Sequence, residues 1–310
     1  EGRTAVHLRL THPPASPALL ALLGALAMAA SASTSAAQPA ERDMFVSVVD
    51  RGGSPVLTLG PEDFVVRDDD RLREVLRARR ASDLLHIAVL VDTSQALGSQ
   101  VSDVRQGLLA FAARMGAQAR IALVGFGDRP TVLSDYSSSA DAVARGVGLI
   151  FPIQGAGACV LDAVDETLAG LEKAGPERSA IVVVWAGGRE FGHATDTELI
   201  ERLAANGTAL HVLVIGGGVP EDVRTPEGRH REGLFDRGTT ATGGRRTNVL
   251  SSMAAADALE RLAAELLGQY RITFARPESL IPPKKTIVAV RPEGLTARGL
   301  LVPVRAAARQ

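Results

Sequence analysis

The sequence predicts an α/β protein: a doubly wound, mostly parallel six-stranded sheet, with a small β module built from the two flanks. Three observations carry this. From Leu84 onward, apolar runs suited to buried strands alternate with amphipathic, helix-like stretches. The strand runs are apolar nearly throughout, as when helices cover both faces of a parallel sheet. The flanks, 38–83 and 269–310, switch to two-residue alternation, which marks half-buried strands.

The 310 residues are 46% hydrophobic, enough to build the core of one or two domains. Only 4% are aromatic, so that core must come from Val, Leu, Ile and Ala. The net charge is −1 and the arginines are dispersed, so neither nucleic acid nor an anionic membrane surface is an expected partner. The dense cluster Arg77–Arg80 reads as a solvated strand end.

At the N-terminus, Arg3 and Arg9 precede the apolar run Ala18–Ala30, and Ala-x-Ala-like sites end at Ala32 or Ala37. That is the order of a secretory signal peptide. The run falls short of the ~20 apolar residues a membrane span needs. Residues 1–37 are therefore set apart as a signal peptide. The mature protein is expected in the periplasm or secreted, with no membrane span after signal cleavage.

In the N-terminal β segment, 38–83, Met44, Val46 and Val48 alternate with their neighbours, and Gly52-Gly53 makes a turn. Glu62–Arg67 is a second strand, Asp68–Asp70 a charged hairpin turn, and Arg73–Ala78 a third strand. The three aspartates lack the further oxygen ligands and the glycine of an EF-hand calcium loop.

The central region, 84–268, has strand-like runs at Leu85–Val91, Ala119–Phe126, Ala180–Trp185 and Ala209–Ile215. Pro130–Leu133 is expected as an antiparallel edge strand and Arg245–Val249 as a short strand. Helices are expected at Val101–Met115, Ala140–Val147, Leu161–Lys173, Asp196–Ala205 and Ala254–Leu267, with Asn206-Gly207 as a C-cap. Val219–Arg237, rich in Pro, Gly and charge, is expected as a long surface loop. In the C-terminal segment, 269–310, Tyr270–Phe274, Thr286–Val290 and Leu300–Val304 are strand candidates. Pairing them with the N-terminal segment buries both alternating faces in one β module.

Enzyme chemistry finds little support. A Gly-x-Ser-x-Gly is absent, and Gly216-Gly217-Gly218 is followed by Pro220 rather than by a dinucleotide-binding helix. His86 and His211 fall within strands and are expected to be satisfied core groups, while His193 and His230 have no metal-ligand spacing. Cys159, the one cysteine, has small apolar neighbours and reads as a buried, inert thiol.

Four motifs then occur in order. Leu85–Ser94 (LHIAVLVDTS) is a strand running into Asp92-Thr93-Ser94. Gly157–Ala163 (GACVLDA) opens a helix, Val182–Gly187 (VVVWAG) ends a strand, and Thr242-Gly243-Gly244 comes late. Together these resemble a von Willebrand factor A (VWA) domain. The segments VSVVDRGGSPVLTLGPEDFVVRDDD and ALERLAAELLGQYRITF narrow the resemblance to the secreted bacterial "VWFA-related" group known from Acidobacteria. The resemblance implies a central strand order 3-2-1-4-5-6, a protein-binding role and no defined enzymatic activity.

It also implies a metal-ion-dependent adhesion site (MIDAS) that has degenerated. Asp92 and Ser94 match the family's first aspartate and serine. Ala96 stands where the family has its second serine, Ala158 where it has threonine, and Ala186 where it has its second aspartate. Mg2+ needs oxygen ligands in near-octahedral geometry, so at most a weakly held ion is expected and no cofactor is assigned. Glu190 and Asp128 are the carboxylates that could compensate, though their plainer reading is exposed loop acids. Asp92 and Ser94 also have a structural role open to them, bonding the backbone of their own loop and the adjacent helix start. The expected function is a protein–protein interaction or adhesion-type module, metal-free or metal-weak, with an unknown protein partner. The alternative is ordinary divalent-cation-dependent binding with compensating ligands.

Overall fold

The computed structural model describes Gly2 and residues 40–216, 221–277, 283 and 285–304. The signal-peptide expectation lies outside these. The central sheet forms where the apolar runs fall: β5 (Leu85–Val91), β6 (Ala119–Phe126), β7 (Pro130–Ser137), β8 (Arg178–Trp185), β9 (Thr208–Ile215) and β10 (Arg246–Val249). Their order is β10-β9-β8-β5-β6-β7, the expected 3-2-1-4-5-6 arrangement counted from β5. The strands pair in parallel except β7, which runs antiparallel to β6 as the edge strand.

The near-continuous apolarity of β5 is explained by burial on both faces. Ile87, Val89 and Val91 face one core with α1 (Val101–Met115), α2 (Ala140–Gly148) and α6 (Ala255–Leu267). Ala88 and Leu90 face a second core with α3 (Val160–Ala174) and α4 (Asp196–Asn206). In α1 the buried Val104, Leu108, Phe111 and Met115 recur at helical spacing. Each such large apolar side chain contributes roughly 1.5–3 kcal/mol. The predicted cap at Gly207 is present, with φ +68° and its N–H donating back to Leu203 and Ala204.

The flanks form two further antiparallel sheets. β1 (Ala40–Val49) pairs with β11 (Tyr270–Arg276) on one side and β13 (Thr296–Leu301) on the other, while β4 (Val75–Arg80) completes that sheet against β11. β2 (Phe64–Asp68), β3 (Arg71–Arg73) and β12 (Thr286–Val290) make the second. Met44, Val46 and Val48 share one core with Phe64, Val66, Tyr270, Ile272 and Phe274, so both sheets close on the same apolar filling.

Three sequence expectations need correction. The single strand Arg73–Ala78 is two: Asp69 and Asp70, both at positive φ, turn the chain so that Arg71–Arg73 pairs back on β2, and β4 then joins the other sheet. The last strand starts at Thr296 rather than Leu300 and ends at Leu301, because Thr296–Leu301 pairs with β1. The supposed loop Val219–Arg237 is largely helical in its described part: a 3-10 turn at Glu221–Arg224, then α5 (Pro226–Gly233) and a wider π-type turn at Leu234–Gly238. Part of its polarity points inward, at Asp222 and Arg231, while Arg224, Arg229, Asp236 and Arg237 are exposed. Arg231, fully buried, pairs bidentately with Asp222 at 2.6 and 3.0 Å and lies 4.4 Å over the Trp185 ring. Among the described residues no helix is long and apolar enough to cross a membrane.

Candidate functional site

The parallel strands β5, β6 and β8 all end on one side of the sheet, where open α/β folds place their sites. Beyond β5 the chain passes through Asp92-Thr93-Ser94 into a 3-10 turn, Gln95–Gln100, that leads to α1. The Asp92 N–H donates to Val184 O at 2.9 Å, tying this loop to β8. The Asp92 side chain is fully buried. Its Oδ1 accepts from the Ser94 N–H at 2.9 Å, and its Oδ2 accepts from the N–H groups of Ala186 (3.0 Å) and Gly188 (3.1 Å). Burial pushes the Asp92 carboxyl above its ordinary range, and these hydrogen bonds pull against that. Ser94 Oγ accepts from the Ala96 N–H at 3.2 Å and caps the 3-10 turn.

Two more loops close on this pair. Residues 149–159 are held by Ile153 N–H to Thr93 O (2.9 Å), Gln95 N–H to Ala156 O (3.1 Å) and Gly155 N–H to Gln95 Oε1 (3.0 Å). The loop after β8 is stitched to the first by Ala158 N–H to Arg189 O (2.7 Å) and Phe191 N–H to Ala158 O (2.8 Å). Gly188 sits at the centre. A Cβ there would lie 2.5 Å from Ser94 Oγ, 2.9 Å from the Ala158 methyl and 3.0 Å from Asp92 Oδ2. Asp92, Ser94, Ala96, Ala158 and Ala186 are thus brought together around Gly187-Gly188, under a shallow depression of about 440 Å³. Ser94–Ala96, Gly155–Gly157, Gly187–Arg189 and Phe191 line it.

The other two sequence candidates flank this cluster, Glu190 through a β-bridge with Ala158. Glu190 is buried, and its carboxylate accepts from Gly192 N–H (2.9 Å), Val160 N–H (3.3 Å) and Leu161 N–H (3.5 Å). It caps the start of α3. Burial raises its carboxyl to about 8. Its own N–H donates to Asp222 Oδ2 at 2.7 Å, which joins this loop to the buried Asp222–Arg231 pair. Asp128 is exposed in the β6–β7 turn.

The oxygen set does not suit a hard divalent cation. Both Asp92 oxygens already accept N–H groups, Ser94 supplies one hydroxyl, and positions 96, 158 and 186 offer methyl groups. Among the described residues, no three His, Cys, Asp or Glu side chains form a metal-holding group. Groups for nucleophilic or general-base work are equally sparse here. Burial, reinforced by the nearby Glu190, pushes the Cys159 thiol up to about 12. His211, in β9, is buried and held down near 4 by desolvation. Contrary to expectation it is not satisfied: neither ring nitrogen has a hydrogen-bond partner among the described residues, and His86 Nδ1 in β5 lacks one too.

Two residues that sequence reasoning passed over stand on the rim. Arg189 is exposed and lies 5.2 Å over the ring of Phe191, itself 54% exposed. The signal available was their position: immediately after Ala186-Gly187-Gly188, in the loop the motif had already marked.

No protein-family model matches the chain, and no curated protein matches it. Among solved structures the chain is similar to a von Willebrand factor type A protein from Catenulispora acidiphila, with 11% identity over 87% of this chain and 73% of that one, at a TM-score of 0.49. It is also similar to the conserved hypothetical protein BatB from Bacteroides thetaiotaomicron, with 17% identity over 59% of this chain and 98% of that one, at a TM-score of 0.46. Proximal thread matrix protein 1 from the mussel byssus shows 13% identity over 60% of this chain and 48% of its own, at a TM-score of 0.48.

Proposed function

We propose that this chain is an exported, non-enzymatic protein-interaction module of the VWA type, of the secreted bacterial VWFA-related group, whose binding end works without a divalent cation. The observation that supports it is the engaged Asp92 carboxylate: backbone N–H groups of Ser94, Ala186 and Gly188 bond both of its oxygens, while Ala96, Ala158 and Ala186 bring no side-chain oxygen. In this reading the loop amides do what the resemblance assigns to Mg2+. They balance the buried aspartate and hold three loops in one arrangement, which leaves the loop surface as the binding element. Export rests on the charge and apolar order of Arg3, Arg9 and Ala18–Ala30.

Thermal melting with and without millimolar Mg2+ tests the proposal. A ligand that binds only the folded state stabilises by RT ln(1 + [L]/Kd), so an ion at a tenth of its Kd adds only about 0.06 kcal/mol. No shift in melting temperature is expected, and EDTA should leave partner binding intact. Restoring Ala96→Ser, Ala158→Thr and Ala186→Asp together should create a Mg2+-dependent shift. A clear Mg2+ response in the parent protein would overturn the proposal in favour of cation-dependent binding.

A further inference from the structure

A groove of about 1230 Å³ runs between residues 236–246 and the strands β12 and β13, and it shares no lining residue with the depression above Asp92. Arg245 and Arg298 line it and converge on one carboxylate, that of the buried Glu265 in α6. Arg298 donates to Glu265 Oε1 at 2.6 Å. Arg245 Nε lies 3.5 Å from Glu265 Oε2 without a hydrogen bond, and the Arg245 guanidinium donates to no described residue. A guanidinium is a fork of several N–H donors, so most of this pair's capacity is unused. Two cations against one carboxylate also leave a positive charge unbalanced. His211, fully buried in β9, feels the charges of all three residues. Both its ring nitrogens, both arginine Nε atoms and Glu265 Oε2 are buried and unpartnered among the described residues. Open polar atoms gathered in one place point to a missing partner.

The other charges of the groove are largely matched. Arg246 pairs with Glu232 and the exposed Asp236, and Arg237 pairs with Asp196. Asp69 accepts the Lys285 N–H, and Asp68 pairs with Arg73 and Arg276. The Lys285 side chain is exposed and makes no ion pair with a described residue. Exposed Ile287 and half-buried Val288, Leu300 and Leu301 make the wall on the strand side apolar.

We propose that this groove binds a small organic acid, its carboxylate or phosphate head held by Arg245 and Arg298 and its apolar body lying against β12 and β13. Guanidinium forks take oxyanions bidentately. One negative charge balances the excess of Arg245 and Arg298 over Glu265, and the oxyanion accepts N–H groups that no described residue accepts. An apolar wall with a few converging polar groups is the usual form of a small-molecule site.

Calorimetric titration of the full chain with octanoate, octyl phosphate, acetate and octanol tests this, with NMR of the His211 ring alongside. Octanoate or octyl phosphate should bind about tenfold or more tightly than octanol, and more tightly than acetate. The tighter of the two acids identifies the head group. The His211 signals should move along the same binding curve. Arg245→Met should cost about tenfold in octanoate affinity, Arg245→Lys less, and Ile287→Ser several-fold, with acetate binding unaffected by the last change. Equal affinity for octanoate and octanol would reduce the groove to an apolar surface and overturn the acid site. Undiminished octanoate binding to Arg245→Met would do the same, as would His211 signals that stay still while octanoate binds. If Arg245→Met does not fold, unchanged octanoate affinity in both Arg245→Lys and Ile287→Ser decides against the site. So does a lack of binding by all four compounds at millimolar concentration.

Discussion

A side chain at position 188 would have nowhere to go, because Ser94 Oγ, the Ala158 methyl and Asp92 Oδ2 all lie within 3.0 Å of where its Cβ would stand. Gly188→Ala should therefore lift the loop off Asp92 and cost about 1–3 kcal/mol, measured by urea denaturation. An unchanged midpoint would mean that Gly188 does not seat there. Titration gives a second prediction. Glu190 titrates near 8 in the fold against an ordinary 4.5, so between those values the folded chain holds a proton the unfolded chain has released. Stability from this group falls as pH rises through that window, by up to about 1.4 kcal/mol per unit. His211 titrates near 4 against 6.5, so its contribution is lost as pH falls from 6.5 towards 4. The two slopes oppose below 6.5; above it the His211 contribution is constant, and Asp92, whose carboxyl burial also raises, gives a slope of the same sign as Glu190. Urea titrations should show stability declining from pH 6.5 to 8, and Glu190→Gln should make that decline shallower. The grouping of positions 92, 94, 96, 158 and 186 came from the resemblance to the VWA motifs, which assigns them to one site. The direction of Glu190 was not legible, since a loop carboxylate can cap either of two neighbouring sets of N–H groups and only packing decides.

The segment from Glu221 to Gly238 shows where element-level reading fails. Its charges suggested solvent, yet Arg231 is buried against Trp185 and Asp222, and Phe235 packs edge-on to Trp185 at 5.9 Å. Polarity in a sequence announces that a group needs a partner, not that the partner is water. The long apolar strands carried the opposite kind of signal and were read correctly, because burial on both faces leaves a run nothing else to be. Arg231→Met removes one member of a buried pair and strands Asp222, for a loss of roughly 3–5 kcal/mol. Since Asp222 also accepts the Glu190 N–H, the same change should loosen the loop after β8. Limited proteolysis should then cut within 221–241 and 187–194 well before the parent is cut. Resistance equal to the parent's would show that the pair does not organise this region.

Across the whole molecule, the two flanks complete each other: β1 lies between β11 and β13, and β2 pairs with β12. Alternation at both ends of the sequence showed that each flank had a face to bury. It did not show the division into two sheets, since alternation fixes which face is inward and leaves the neighbour open. Deleting Thr286–Gln310 removes β12 and β13 and exposes one edge of β1 and of β2. Amide exchange in Met44–Val49 should speed up sharply while β5 and β8 stay protected. Unchanged exchange in β1 would contradict the pairing.

The registers also settle how the molecule responds to being pulled. Ala40 stands opposite Arg276 and Met44 opposite Leu301, so the chain enters and leaves the four-stranded sheet at the same end. Tension between residues 40 and 304 therefore peels these ladders rung by rung, like a zip, instead of sliding whole strands past each other. Residues 81–269 lie behind this latch, because the Ala81 N–H donates to Gln269 O and closes the loop at its base. An optical-trap experiment with handles at 40 and 304 should record two rips, the flanks first and the α/β domain second. One merged rip would refute it. Under the binding role proposed above for the far end of the sheet, such flanks would be a mechanical fuse: they yield first, and that face stays folded while they do.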